Sequence, residues 1–341
     1  MRIALVTDAW MPQVNGVVRT LQATVAELDA MGHYVELVTP DQFPTFPCPT
    51  YPEIRLALGA GNAVARRLRT LAPDAVHLAT EGPLGWAARR WCLRGGMPFT
   101  TSYHTRFPEY VALRTGLSAG LFWPLVRRFH APATAVFAAT ATLERELRVQ
   151  GLMRTHRWSR GVDCDLFSPV GARHPAMADL PRPLLLHVGR IAVEKNVRAF
   201  LALPGPGSKV LVGDGPAREA LADAHPEALF LGALQGEALA AAYRSADALA
   251  FPSRTDTFGL VMIEAMASGV PVAAYPTAGP LDVIGDSGAG AMHADLAVAV
   301  ERALAIDPAT CTAAAQAFDW RRCTDQFVDG LTLRSDRALA A

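Results

Sequence analysis

The chain has 341 residues, 51% of them hydrophobic and 19% charged. That composition buries large cores and excludes a disordered or collagen-like chain, and the length suits two domains of about 150 residues each. Its 32 basic and 32 acidic side chains cancel overall, but residues 1–170 carry 18 arginines against 13 acids and the remainder 14 cations against 19 acids. The basic half suits an anionic membrane surface or phosphates, and equally a solvated, unevenly charged surface.

In chain order, Arg2–Thr7 reads as a buried parallel strand. The loop 8–16 leads into a helix over 17–31 closed by Gly32, and 33–40 is the next strand. This is a βαβ unit, the opening of a doubly wound sheet, with a glycine before the first helix but no G-x-G-x-x-G. The proline-rich stretch 43–52 reads as loop, 54–58 as a short strand and 62–71 as a helix. The strand 75–79 runs into a turn at Thr80-Glu81-Gly82-Pro83 and the helix 84–94. The strand 99–103 precedes His104-Thr105-Arg106-Phe107. Thr80, Glu81 and His104 therefore follow strand C-termini, where ligands collect in open α/β sheets. Residues 107–130 mix aromatics with Arg114, Arg127 and Arg128 and read either as an interfacial amphipathic element or as a core helix pair broken at Pro124. A strand at 135–139, a helix at 141–150 and a strand at 155–159 complete this half.

Residues 160–163 begin a crossing segment, and four prolines in 168–183 mark a linker. A second doubly wound half follows. It has strands at 184–188, 209–212, 229–231, 248–251 and 270–274, and helices at 237–245 and 258–268, with a short one opening near Thr277-Ala278-Gly279-Pro280. Terminal helices are expected at 296–305 and 319–333. The predicted division is an N-terminal domain over 1–168, a linker over 169–183 and a C-terminal domain over 184–318. A helix over 319–341 then packs back on the first domain.

Several groups carry candidate chemistry. Arg190 and Lys195 flank one loop after one strand and suit a diphosphate, whose charge a guanidinium fork and a point charge can share. Asp256 precedes a helix that contains Glu264, and a helix N-terminus suits a phosphate or sugar oxygen. Asp8, Gly16, Glu81 and His104 occupy the matching edge of the first half. Asp163-Cys164-Asp165 spells D-x-D but sits away from the phosphate candidates, so no metal is expected. Five cysteines without CxxC spacing point to a reducing compartment. The segment MRIALVTDAW does not read as a secretory signal, and no stretch nears the roughly 18 apolar residues of a membrane span.

GRIAVEKN, VGDGP and SRTDTFGLVMIEAMASGVPV, with TDAWMPQVNGVVRTL, SYHTRF and SRGVDCDLF, resemble the retaining GT-B glycosyltransferases of family 4. SYHTRFPEY, ATEGPLG and SRTDTFGL are most similar to its glycolipid-forming branch, the diacylglycerol and phosphatidylinositol glycosyltransferases. The resemblance implies two Rossmann-like domains facing across a cleft. It implies that Arg190, Lys195 and the Gly16 amide bind the donor diphosphate, and that Glu264 holds the ribose. The amides of Phe258, Gly259 and Leu260 meet phosphate and sugar, Asp256 bonds sugar hydroxyls, and His104 contacts the sugar at its 6-position. His104, Arg190, Lys195 and Asp256 form the implied catalytic set; Asp8, Asn15 and Glu81 lie on the acceptor side. Where many members carry Glu-x7-Glu, this chain has Asp256-x7-Glu264, shorter by one methylene.

The expected function is transfer of a hexose or hexuronic acid from a nucleotide-diphosphate sugar to a lipid such as diacylglycerol at the cytoplasmic membrane face. No metal or other cofactor and no nucleic-acid partner is expected. A transferase of polysaccharide or soluble-glycoside synthesis is the alternative, and a non-catalytic nucleotide-sugar-binding module the remoter one.

Overall fold

A computed structural model describes residues 1–13, 15–48 and 51–334. The side chains of residues 51–53, Leu113 and Arg114, and residues 335–341 of the expected terminal helix, lie outside the described residues. The chain divides into two compact units, one formed by residues 1–159 together with the chain from Trp320 onward, the other by Arg160–Asp319.

The first unit runs β1 (Arg2–Val6), α1 (Gly16–Ala30), β2 (Tyr34–Val38), β3 (Thr45–Cys48), β4 (Tyr51–Ala57), α2 (Gly61–Leu71), β5 (Ala75–Leu78) and α3 (Pro83–Gly95). It continues with β6 (Thr100–Ser102), α4 (Phe107–Thr115), α5 (Trp123–His130), β7 (Val136–Ala138), α6 (Ala141–Val149) and β8 (Thr155–Arg157). Six parallel strands lie in the order β2-β1-β5-β6-β7-β8. Strands covered on both faces need apolar residues on both, which is why β1 reads as an unbroken apolar run. Ala4 and Val6 face one core with α2 and α3, and Ile3 and Leu5 face the other. The helix Trp320–Gly330 completes this second face: Phe327 packs with His77, Phe137 and Trp158 at ring separations of 4.9–5.6 Å. His156 Nε2 and the Gln326 carbonyl lie 2.7 Å apart, and the Ser159 amide donates to Gln326 Oε1 at 2.8 Å.

The strand expected at 54–58 is the later part of β4, and within the stretch read as proline-rich loop Thr45–Cys48 forms β3, which pairs with it antiparallel. A two-stranded ribbon has open edges, so Pro47 removes a donor that no ladder needs. Pro124 does not break a helix but starts α5, within its first turn, where its missing N–H costs nothing.

The second unit contains β9 (Leu184–Val188), α7 (Val197–Leu201), β10 (Ser208–Val212), α8 (Arg218–Ala224), β11 (Leu229–Gly232), α9 (Gly236–Ser245) and β12 (Ala248–Phe251). Then come α10 (Leu260–Ala267), β13 (Val272–Ala274), α11 (Ala278–Val283), β14 (Gly290–Met292), α12 (Leu296–Ala303) and α13 (Pro308–Ala315). Neither β14 nor α13 stands out in the sequence. The sheet order is β11-β10-β9-β12-β13-β14, all parallel, the dinucleotide-fold order. The stretch read as linker lies against this unit. Arg244 Nε donates to the Ala172 carbonyl at 2.9 Å, and the His174 amide donates to Ser245 Oγ at 2.8 Å.

Candidate active site

In each unit the strand order reverses at the first strand, and an open α/β sheet binds ligands outside the carboxyl ends of the strands at that point. In the second unit the reversal lies between β9 and β12. The loop after β9 carries Arg190 and Lys195, and the loop after β12 carries Asp256. These loops are stapled to each other. Lys195 Nζ and Asp256 Oδ1 form a short ion pair. Asn196 Nδ2 donates to the Pro252 carbonyl at 3.2 Å, and Thr255 Oγ1 donates to the Glu194 carbonyl at 3.3 Å. Asn196 takes the left-handed conformation, φ 54°, which Asn tolerates better than most residues. Lys195 is one of two lysines in a chain otherwise reliant on arginine, a compact point charge where two loops meet.

Glycines let a third loop approach. Gly213 has φ 138°, and a Cβ there would lie 1.9 Å from the Gly189 carbonyl oxygen. The VGDGP turn thus packs backbone to backbone against the Arg190 loop, with the Ile191 amide donating to the Asp214 carbonyl at 2.9 Å.

Helix α10 starts beside Asp256. Gly259 precedes it with φ 91°, and a Cβ there would meet the Phe251 ring and Met262 Cε at 2.8 and 2.9 Å. Phe258 turns its ring into the core, 6.0 Å from Phe318, and leaves only its backbone for a ligand. Glu264 is buried on this apolar helix, one turn (about 6 Å) in from Leu260. A buried carboxylate requires partners; Tyr243 Oη donates to its Oε2 at 2.8 Å. Beneath the loops, at the end of β9, His187 is buried 5.7 Å from Phe200, and desolvation, with Lys195 adding repulsion, pushes it down to about 4. It is neutral at physiological pH.

The first unit reverses between β1 and β5, where Asp8 and Thr80-Glu81 meet. The Asp8 carboxylate accepts from the amides of Leu84 at 2.9 Å and Gly85 at 3.2 Å and from Thr80 Oγ1 at 3.1 Å. It caps the positive end of α3. Gly82 makes that approach possible, because a Cβ there would lie 2.3 Å from Asp8 Cγ. Burial nevertheless dominates, raising Asp8 from 3.8 to about 6. Asn15 is likewise occupied: its Oδ1 accepts from the Val17 and Val18 amides at 3.0 Å, capping α1, which Gly16 begins. Glu81 lies 3.0 Å from buried His130 Nε2, whose Nδ1 lies 2.8 Å from Thr101 Oγ1. A carboxylate only accepts, so Nε2 carries the hydrogen. His104 is buried, edge-on to Trp158 at 5.5 Å.

Residues 14–166 match the family model described as Glycosyltransferase Family 4, and residues 182–306 match that described as Glycosyl transferases group 1. A GDP-mannose-dependent alpha-mannosyltransferase of Mycobacterium tuberculosis is 35% identical over 309 residues, which span 83% of this chain and 81% of the relative. The chain belongs to glycosyltransferase family 4. An alpha-monoglucosyldiacylglycerol synthase of Streptococcus pneumoniae is 26% identical, over 90% of this chain and 79% of that one. The solved structure of sucrose-phosphate synthase from Thermosynechococcus elongatus superposes with a TM-score of 0.79 at 24% identity, covering 96% of this chain and 97% of that one. Its fold and the two parallel sheets here make the architecture GT-B.

Of the residues singled out in the sequence, Arg190, Lys195, Asp256, Phe258, Gly259, Leu260 and Glu264 come together in the second unit. Asp8, Asn15, Gly16, Glu81 and His104 all lie in the first, after the C-terminal ends of β1, β5 and β6 or at the start of α1. Tyr243, His187 and His130 escape sequence reasoning, and Gly82 and Asn196 enter it only as members of their loops. Asp163, of the D-x-D, accepts from the amides of Asp165 and Leu166 at 3.1 and 3.0 Å. Among the described residues no group of three or more His, Cys, Asp or Glu converges as a metal site, and no helix is long and apolar enough to cross a membrane.

Proposed function

We propose that this family 4 glycosyltransferase moves a hexose or hexuronic acid, with retention at the anomeric carbon, from a nucleoside-diphosphate sugar to a lipid acceptor such as diacylglycerol at the cytoplasmic membrane face. The observation that carries the donor assignment is the pairing of Lys195 with Asp256 across the sheet reversal, one loop from Arg190 and beside the start of α10. Two cations and the amides of Phe258, Gly259 and Leu260 supply the charge a departing diphosphate needs, the electrostatic stabilisation of developing charge that lowers such barriers.

Glu264, held by Tyr243, accepts ribose hydroxyls. Asp256 holds Lys195 in place before the donor arrives and bonds sugar hydroxyls afterwards. His104 is assigned to the sugar's 6-position. Asp8 and Asn15 act on the acceptor side indirectly, by fixing the α3 turn that carries Glu81 and the α1 terminus that carries Gly16. The acceptor oxygen forms its bond to the anomeric carbon on the face from which the phosphate oxygen leaves. The acceptor's proton passes to that leaving oxygen, so no carboxylate nucleophile and no metal is required.

The lipid assignment is favoured by an exposed apolar group on α4, α5 and the segment joining them: Phe107, Leu117, Leu121 and Leu125, with Arg127 and Arg128 exposed beside them. Apolar side chains flanked by arginines suit an anionic membrane surface. The name of the pneumococcal relative points the same way, and that of the mycobacterial relative makes GDP-mannose the first donor to try.

The test is a donor panel (GDP-mannose, UDP-glucose, UDP-glucuronate) with anionic vesicles containing diacylglycerol, read by mass spectrometry. A glycolipid is expected, and it should disappear in the folded Arg190→Ala/Lys195→Ala variant. Near-normal turnover in that variant overturns the donor assignment. Product on soluble acceptors alone, with the protein left in the supernatant after vesicle pelleting, overturns the lipid assignment.

A further inference from the structure

A cavity lies wholly within the first unit, where the chain leaves β6 and enters α4. It has a volume of about 150 Å³ and is partly open to solvent; a cavity of about that size holds a benzene-sized ring skeleton, so some substituents of a larger ring lie outside it. Its walls are Tyr103 and Arg106 from the loop, Glu109 from α4, Trp123 from α5, and Glu146 and Gln150 from the α6 end. The Tyr103 and Trp123 rings stack at 5.8 Å with 22° between planes.

Its polar groups are incompletely used. Among the described residues, Tyr103 Oη, Arg106 Nε and Glu109 Oε2 are buried without a hydrogen-bond partner in the protein, although Tyr103 is only 1% exposed. Buried polar atoms are nearly always bonded, so three exceptions around one cavity need an explanation. One hydroxyl, one guanidinium N–H and one carboxylate oxygen form a mixed donor and acceptor set, which complements hydroxyl groups because each hydroxyl both donates and accepts.

The charge narrows the ligand further. Arg106 is ion-paired with Glu146, which leaves Glu109 as the net charge of the wall. Burial first, and then the charges of Glu109 and Glu81, disfavour a negative charge on Tyr103. A phosphate or sulfate would meet the same desolvation and the same repulsion from Glu109.

We propose that this cavity binds a neutral polyhydroxylated six-membered ring, a sugar or cyclitol, carried by the acceptor. This rests on the lipid-acceptor reading and sharpens it. The preferred acceptor has a head group that already bears a ring, rather than bare diacylglycerol, and any phosphate on it lies outside this cavity.

The test uses the whole protein. Saturation-transfer NMR with methyl α-D-mannopyranoside and with myo-inositol should show contact, and glycerol 3-phosphate should not. Tyr103→Phe removes a hydroxyl and Glu109→Gln turns one acceptor oxygen into a donor, each with little change of shape, and each should weaken ring binding about threefold to tenfold. In the transfer assay the same variants should raise the acceptor KM by that factor, with the donor KM unchanged. Vesicles carrying glycosyl-diacylglycerol or phosphatidylinositol, compared with the free rings, tell whether the ring arrives on a lipid or in solution; either source supports the cavity's assignment. No transfer signal from either ring, or an unchanged acceptor KM in both variants, overturns it. Titration with GDP and UDP keeps the two readings apart: nucleotide binding without ring binding sinks this proposal alone, and loss of both sinks the glycosyltransferase reading.

Discussion

Asp8 makes stability depend on pH in a direction opposite to most acids. Its carboxyl stands at about 6 in the folded protein against the ordinary aspartate value of 3.8, because burial outweighs the three hydrogen bonds it accepts. A raised folded value means that folding favours the protonated form. The contribution is therefore complete below pH 3.8 and is lost as pH rises through about 6. The displacement corresponds to about 3 kcal/mol. Asp8→Asn is neutral at every pH. It keeps one oxygen for the Leu84 amide and presents an NH2 where the Gly85 amide and Thr80 hydroxyl donated. Wild type should accordingly lose stability relative to the variant by about 2 kcal/mol between pH 4 and pH 7.5. All six tryptophans of the sequence, at 10, 86, 91, 123, 158 and 320, fall in the first unit. Denaturant unfolding followed by tryptophan fluorescence thus reports on the unit that contains Asp8, and taking the difference between the two proteins cancels every other titrating group. A difference that stays constant from pH 4 to 7.5 would refute the assignment of Asp8 as a buried, desolvated cap.

Gly82→Ala places a methyl 2.3 Å from Asp8 Cγ and should cost about 2–4 kcal/mol in the same fluorescence assay, since backbone and a capped helix cannot both give way; an unchanged midpoint would contradict the close approach. Tyr243→Phe removes the 2.8 Å bond to Glu264 Oε2 and should raise the donor KM about threefold to tenfold, with the acceptor KM as the internal control. Dialysis against EDTA should leave transfer within about twofold of its starting rate if side-chain cations carry the diphosphate; a large loss restored by Mg2+ or Mn2+ would overturn that assignment.

How far the sequence was legible follows from what each feature depends on. Strands such as 184–188 and 248–251 announce themselves because both faces are buried and apolar, and the loops after them are short enough to place Arg190, Lys195 and Asp256 by counting. The strand at 54–58 was read, but its partner at 45–48 was hidden, because it is short, contains Pro47 and lacks the apolar run that marks a sheet interior. The role of Asp8 was hidden for a different reason. Its carboxylate is committed to the amides of a helix start 75 residues downstream, and local spacing reveals a capping side chain only when cap and helix are neighbours. They are neighbours for Asn15, directly before α1, so its capping role could have been read from spacing. Tyr243 and Glu264 lie on different helices, so only the packing of α9 against α10 could join them.

The return of the last helix to the first unit sets the order in which the protein can be completed. A ribosome finishes β1 to β8 and then makes all of 160–319, a continuous unit whose sheet needs nothing from outside that span. Throughout that time the sheet face around Phe137 and Trp158 lacks Phe327 and Cys323. The unit synthesised first is therefore the one completed last, and its nascent apolar face is exposed for the time taken to make 160 residues, on the order of 10 s. A family 4 chain built this way relies on its second unit folding promptly, and on Trp320–Gly330 emerging intact, before the first can reach its final stability.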